Sequence, residues 1–362
     1  MSRRVTVVTV TYQSAAEVGD AIASARVAGQ RAGVDLEFAI VDNASVDGSA
    51  EAVERAAPDA IVVRNAVNVG FGAANNQAFE VATGDAWLLL NPDARLEPDA
   101  LDLLLRFYDD HPRAAKVAPA IAGGGAHDRS FGPGGAESAG MLPGFAAVIG
   151  HFLLVNRLLP GDRGGSWRGF QLTRRPSLGP RPVEWASAAV VLVRPAAIRQ
   201  VGGFDTSIFM YGEDVELGER LARAGWQSWL VPEAHAWHSI ASSQSGISTR
   251  WVDSVLGQAA RGSGRLRVVL LDLVLGASLL ARAVATRGRR PEARLHRRRM
   301  KASGKRALQL ALLTARHGVP ARPSPPPPAR PSPPPPAPAG APPPAPAGAP
   351  SPAPAGAPPR ST

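Results

Sequence analysis

The strongest constraint on this chain is a change of hydrophobic period that recurs through its first 119 residues. Val5–Val10 is a β-branched run of the kind found in buried strands. Ser14–Ala28 then carries apolar residues at helical spacing. Glu37–Val41 reads as a second strand ending at Asp42, followed by a helix over Asp47–Ala57 with Asp47 or Ser45 as its cap. Ile61–Val63 is a third strand, Phe71–Ala82 a helix and Trp87–Leu90 a fourth strand. Pro98–Tyr108 closes the series as a helix with proline early in its first turn. Such alternation predicts an α/β fold, a mainly parallel sheet with helices on both faces. Ligands in such folds bind beyond the carboxyl ends of the strands. Asp42 and Asp93 each stand just after a strand end, so the fold brings them to one rim.

The later sequence is less regular. The stretch GGGAHDRSFGPGG, within 120–180, is a loop by composition. The apolar run Met141–Leu159 suits either a helix or a hydrophobic lip. Val183–Val193 reads as two short strands around Ala186 and Ser187, and Pro195–Val201 as a short helix before a Gly202-Gly203 turn. Glu213–Ala224 is a helix with an acidic first turn, and Gln227–Val231 a last strand. Past Val319 the chain is Pro/Ala/Gly near-repeats such as PAPAGAP, which cannot supply a core and are expected to be disordered.

Charge divides the chain. Residues 1–260 hold 22 basic and 28 acidic side chains, a balance of −6, while Arg261 onward holds 18 basic and 2 acidic, +16. An acidic body with a basic tail points to an anionic membrane surface rather than to nucleic acid. Within the tail, Arg267–Ala285 is strongly apolar but includes Asp272 and Arg282. Two readings stay open: a helix lying in the membrane interface with Arg287–Arg306 as its basic flank, or a packing helix followed by a solvated charge run. Cysteine is absent, so any metal must sit on oxygen or imidazole. The apolar stretch in MSRRVTVVTVTY is too short and too β-branched for a signal peptide, and the expected location is cytoplasmic, at the inner face of the membrane.

Five segments stand in order: VTVVTVTYQS, VDNASVDGS, NVGFGAANNQA, LLLNPDARL and GGFDTSIFMYGEDVELGERLARAGW. Together, across roughly residues 4–240, they resemble the family 2 glycosyltransferases, and most of all bacterial rhamnosyltransferase-type members. The resemblance implies a GT-A fold, a nucleotide-sugar donor, a divalent metal (Mg²⁺ or Mn²⁺) and inversion at the anomeric carbon. It divides the chain into a nucleotide-sugar-binding half (1–119), an acceptor-binding and catalytic half (120–260), a basic helical segment (261–318) and the tail (319–362).

The residues suit those roles to different degrees. Thr11 and Tyr12 would wall the nucleotide pocket. Many relatives have Asn after the tyrosine, where this chain has Gln13. A carboxylate at Asp42 is able to accept the N3–H of uracil or thymine; alternatively Asp42, Asn43 and Ser45 form a helix-capping Asx turn. Gly70 opens a helix that a donor approaches closely, and Asn76 either faces that donor or caps the helix. NPD lies where the family has Asp-x-Asp. Asn91 replaces the first acid and Asp93 remains as metal anchor and donor contact, Mg²⁺ often being held by one or two carboxylates with phosphates and water. The resemblance assigns Asp214 as the base that takes the acceptor proton and Glu213 as the residue that orients the acceptor; the bland reading is that both complement the helix dipole. Trp185 is expected on the acceptor side. His238 lies where some members supply a metal ligand. The QxxRW motif of processive synthases is missing, which argues for the addition of one or a few sugars. A lipid-linked or cell-envelope glycan is the expected acceptor and dTDP-rhamnose the best single donor. A sugar nucleotidyltransferase would need Arg and Lys in a glycine-rich loop after the first strand, and TYQSAAEV has neither. A glycan-binding protein without catalysis would have no reason to hold Asp42, Asp93, Asp214 and His238 together.

Overall fold

The computed structural model describes residues 3–123, 139–142, 145–153, 179–239, 250–260, 263–285 and 291–318. The 123–135 loop beyond its first residue, the end of the 141–159 apolar run and the proline-rich tail lie outside these. In chain order the first half contains β1 (Arg4–Thr11), α1 (Val18–Ala32), β2 (Asp35–Asp42), α2 (Ser49–Ala56), β3 (Ile61–Arg64), α3 (Phe71–Val81), β4 (Ala86–Leu90), β5 (Ala94–Leu96), α4 (Ala100–Asp110) and β6 (Ala114–Gly123). The second half contains β7 (Ala139–Gly140), α5 (Phe145–Phe152), β8 (Arg181–Val183), β9 (Trp185–Ala186), β10 (Val190–Val193), α6 (Pro195–Val201), α7 (Glu213–Arg223), β11 (Gln227–His238), α8 (Arg250–Ala259), α9 (Arg265–Ala285) and α10 (Pro291–His317).

The main sheet runs β3-β2-β1-β4-β10-β6-β11-β5, with β8 also on β11. Strands β1 to β4 are mutually parallel along this path, as are β6 and β11. β10 is the antiparallel strand between β4 and β6, so the two halves of the chain share one sheet. Every residue of β4 is buried, which explains its unbroken AWLLL sequence: both faces of a central strand meet helices. Val5, Val7, Leu88 and Leu90 face one core, and Val8, Val10, Trp87 and Leu89 the other. The long parallel frame fixes the carboxyl ends of β1, β2 and β4 at one rim, with Thr11 opposite Asp42 in register.

Two features depart from the sequence expectations. Strand β11 does not stop at Val231 but runs to His238, across an irregularity between Val231 and His235 that hides its continuity. It pairs there with β5, a three-residue strand just after NPD. The basic segment after 290 is a helix, α10, which packs antiparallel along α9: Gly276 and Gly304 meet at the crossing, with Leu308 over Gly276 and Leu280 over Gly304.

Helix α9 is the one described helix long and apolar enough to cross a membrane. One face is buried: Val268, Leu271, Asp272, Leu275, Leu279 and Ala283. A third core joins this face to α5, α8 and α10 and to Trp185 and Val215. The opposite face leaves Leu266, Leu270, Leu273 and Val284 exposed. The domain-packing reading thus describes one side of the helix, and the other side remains apolar and uncovered by the described residues.

Candidate active site

The candidate site forms where the ends of β1, β2 and β4 meet the start of α7. On the β4 side, pairing of Ala94 with His238 sets the last residue of β11 beside Asp93. His238 Nε2 lies 3.1 Å from Asp93 Oδ1 and 3.4 Å from Asn91 Nδ2. The Ser239 N–H donates to the Asp93 carbonyl, which closes the strand pair around the carboxylate. Asp93 is nearly buried. A hard carboxylate oxygen and an imidazole nitrogen this close suit a divalent cation such as Mg²⁺ or Mn²⁺. Among the described residues no group of three His, Cys, Asp or Glu is placed to hold one.

On the α7 side lie Glu213 and Asp214. Glu213 is buried and its Oε2 has no hydrogen-bond partner, the arrangement of a group awaiting a ligand. Burial pushes its carboxyl up to about 8, with the neighbouring Asp214 charge acting in the same direction. Burial also raises Asp214, opposed by the Lys116 ammonium and by hydrogen bonds from the Val215 and Ala188 amides. Asp214 Oδ1 accepts from the Val215 N–H at 2.8 Å. The residue before this turn, Tyr211, has φ +70°, a conformation uncommon outside glycine and enriched at functional sites.

The turn between β9 and β10 links the two sides. Ala189 O accepts the Asn91 N–H at 2.8 Å. Lys116 Nζ donates to Ala186 O at 2.6 Å and to Asp214 O at 3.2 Å. Asn91 and the acid at the head of α7 are thus tied to the same turn, the second through Lys116.

Other expected site residues occupy supporting places. Tyr12 is exposed at the rim and Thr11 is buried. Asp42 accepts Thr11 Oγ1 at 2.9 Å and the Ser45 N–H at 3.1 Å, so the turn-forming use of its carboxylate is present. The amide of Asn43 bonds to Asn65, Asn68 and Val69 and so ties down the loop before α3. Gly70, at the start of that helix, has φ +92°, and a Cβ there would lie 2.7 Å from Phe209 O. A chain contact therefore requires this glycine. Asn76 bonds the Phe204 amide and carbonyl at 2.8 and 2.9 Å, holding the segment that leads to α7. Trp185 is buried in the third core and donates its indole N–H to Met141 O at 3.0 Å. It braces the β7–β9 pair from within the core. Gln13, φ +55°, accepts the Val46 N–H and receives no role in the cleft from these bonds.

Sequence reasoning missed Lys116 and a clamp within α7. Glu216, 1% exposed, pairs with Arg220 at 2.7 Å, and Arg220 also donates to Val201 O and Gly203 O. This anchors α7 to the turn after α6. Acid and arginine four apart is the only local signal, and surface pairs show it equally. A Cβ on Gly218 would lie 2.6 Å from Glu184 O, so the same helix sits directly on the β8–β9 backbone. Removing the buried carboxylate by Glu216→Ala leaves Arg220 without its counter-ion. The expected loss is about 3–5 kcal/mol of stability, read as a lower urea midpoint; a midpoint equal to wild type would show the clamp to be dispensable.

Comparison with known proteins bears on this geometry. The family model for glycosyl transferase family 2 matches residues 6–176. An N-acetylglucosaminyl-diphospho-decaprenol L-rhamnosyltransferase of Mycobacterium tuberculosis is 32% identical over 311 residues, covering 80% of this chain and 96% of the relative. The rhamnosyltransferase WbbL of Escherichia coli is 43% identical over 56 residues, 16% of this chain and 21% of that protein. A mannosyltransferase from Pyrobaculum calidifontis, solved with GDP-Man and Mn²⁺, aligns over 88% of this chain and 77% of its own at 19% identity and TM-score 0.46. The chain belongs to glycosyl transferase family 2 and is a glycosyltransferase with a mainly parallel α/β core.

Proposed function

We propose that the chain is an inverting, metal-dependent transferase that moves a sugar from a dTDP- or UDP-sugar, dTDP-rhamnose above others, to a lipid-linked glycan at the cytoplasmic membrane surface. The observation that carries this reading is the β9–β10 turn: Ala189 O accepts the Asn91 N–H, and Lys116 Nζ donates to both Ala186 O and Asp214 O, which ties the Asn91-Pro92-Asp93 turn and the acids of α7 to one place. A cation anchor and a proton acceptor fixed to one turn are what an in-line displacement needs. The named acceptor of the mycobacterial relative, a diphospho-decaprenol carrying N-acetylglucosamine, supports the lipid-linked substrate and the rhamnosyl donor.

In this mechanism Asp214 takes the proton of the acceptor hydroxyl as that oxygen attacks the anomeric carbon from the face opposite the diphosphate. The bond from that carbon to the phosphate oxygen breaks and its electron pair leaves with the nucleoside diphosphate. The oxygen forms one new bond, so the configuration inverts. Glu213, protonated at neutral pH by its burial, offers a hydrogen bond to a second acceptor oxygen. Asp93 and His238, with Asn91 beside them, would hold Mg²⁺ or Mn²⁺, which supplies positive charge to the leaving diphosphate. Tyr12 and Asp42, at the ends of β1 and β2, face the nucleoside side of this rim.

Asp214→Asn keeps the size of the side chain and removes the proton acceptor. Transfer is expected to fall on the order of 10²–10⁴-fold with donor affinity little changed. A matching loss of donor affinity by calorimetry would make Asp214 a donor ligand instead. Asp93→Ala is expected to abolish both transfer and Mn²⁺ binding at ordinary metal concentrations; near wild-type turnover in that variant would remove the metal assignment.

Membrane association rests on the α9–α10 hairpin. It presents the exposed leucines of α9 together with Arg294, Arg298, Lys301 and Lys305 of α10. Each basic side chain near an anionic leaflet contributes about 1 kcal/mol. Arg298→Glu, Lys301→Glu and Lys305→Glu together should weaken binding to phosphatidylglycerol vesicles about a hundredfold or more. Transfer to a soluble acceptor should be unchanged. Equal co-sedimentation of the triple variant and wild type would exclude this surface.

A further inference from the structure

The chain has 37 arginines and three lysines, Lys116, Lys301 and Lys305. Lys301 and Lys305 are exposed on α10. Lys116 is 1% exposed, in the middle of β6. A buried ammonium is costly unless its environment compensates it, and an apolar side chain would fill the same slot with a smaller desolvation cost. Packing alone therefore does not account for it. Its Nζ donates to Ala186 O at 2.6 Å and to Asp214 O at 3.2 Å. Both acceptors are neutral carbonyls, so neither bond consumes the charge. The slot is narrow: one carbonyl comes from the β9–β10 turn and the other from the first turn of α7. A compact ammonium satisfies both, where a planar guanidinium needs more room.

We propose that Lys116 is a positioning residue for the transfer reaction, its charge holding the Asp214 side chain as a carboxylate and its hydrogen bonds fixing the first turn of α7 against the β9–β10 turn. The inference rests on the reading of Asp214 as the base. Glu213 and Asp214 on α7 are the charged groups that act on Lys116, and Lys116 on β6 is the cation that acts on both. Burial drives both acids toward the protonated form. At Asp214 the ammonium is the largest opposing influence; at Glu213 the neighbouring carboxylate adds to burial instead. Lys116 thus favours the charged form of Asp214, the acid that has to accept the proton. Lys116 is itself lowered to about 8 by burial and is held up first by Asp214 and then by Glu213.

Only three lysines are present, so ¹³Cε-lysine labelling gives three signals, two from exposed side chains. In wild type the Lys116 signal should titrate near 8. Asp214→Asn removes the charge that supports it, and its midpoint should fall by about one pH unit or more. A midpoint unmoved by Asp214→Asn would overturn the proposal, and this measurement stands even where a Lys116 variant fails to fold. Lys116→Met tests the catalytic consequence. Transfer at pH 7 should fall about 10- to 100-fold with donor KM little changed, and the acidic limb of the pH–rate profile should move up by about one unit or more, so that activity recovers as pH is raised. A lowered kcat with the acidic limb in its wild-type place would mean a packing role and would also overturn it. Failure of the base reading is separable: Asp214→Asn would then keep transfer although the Lys116 midpoint still shifts.

Discussion

The site depends on a few hydrogen bonds made by the turn between Ala186 and Ala189. β10 enters the sheet antiparallel between β4 and β6, so the turn that precedes it arrives at the rim where the parallel strands end. Its Ala186 carbonyl takes Lys116 from β6, which also donates to the Asp214 carbonyl of α7, and its Ala189 carbonyl takes Asn91 from the end of β4. These partners belong to different elements. Small side chains at these alanines let the neighbouring backbones come this close. The buried cation and the two acids would each be unfavourable alone; with these bonds and one another's fields they form a set that is compensated by pairing.

The C-terminal helices are coupled to that site through packing rather than through charge. Trp185 and Val215 belong to the same core as Leu271, Leu275 and Leu279 of α9 and Val252 and Leu256 of α8. Val215 is the residue after Asp214 and Trp185 the residue before Ala186. The helix that carries the exposed leucines therefore packs behind the start of α7 and the β9–β10 turn. Ser278 strengthens the attachment, donating to Phe152 O of α5 at 2.9 Å. The exposed apolar face of α9 and the candidate site are in this way joined through one packed core.

Much of this was legible because periodicity is strong where a strand is buried on both faces or a helix on one. Trp87–Leu90 and Glu213–Ala224 differ from the observed Ala86–Leu90 and Glu213–Arg223 by a single residue. Legibility failed where the signal is not local. β6 reads AAKVAPAIAG: its lysine and proline break the pattern of a buried strand, yet Lys116 is in the core because its partners come from residues 186 and 214. The Pro232-Glu233 interruption masks the continuation of β11, and with it the pairing that brings His238 to Asp93. Asn43 and Asn76 show a different limit. An asparagine that faces a ligand and one that clasps a loop are the same letter, and only the backbone around them tells which bonds their amides make. The resemblance to a family carried no information on Lys116 or on the Glu216–Arg220 clamp.

The remaining question is how loops at such a rim keep their shape while leaving room for a donor. Among the described residues, three other than glycine have left-handed backbones: Gln13 after β1, Ala44 after β2 and Tyr211 before α7. Such conformations cost on the order of 1–3 kcal/mol each and persist only when the surroundings over-determine them. Here they do. Gln13 is held from both its backbone and side chain by Ser45 and Val46, and Ala44 lies inside the Asp42–Ser45 turn. Ahead of Tyr211, the Phe209 carbonyl accepts the Phe71 N–H against Gly70. The first two residues brace each other's loops after β1 and β2, and the third introduces the turn that carries Glu213 and Asp214. The strain is thus confined to the rim loops, and the regular sheet beneath supplies the rigidity that holds it.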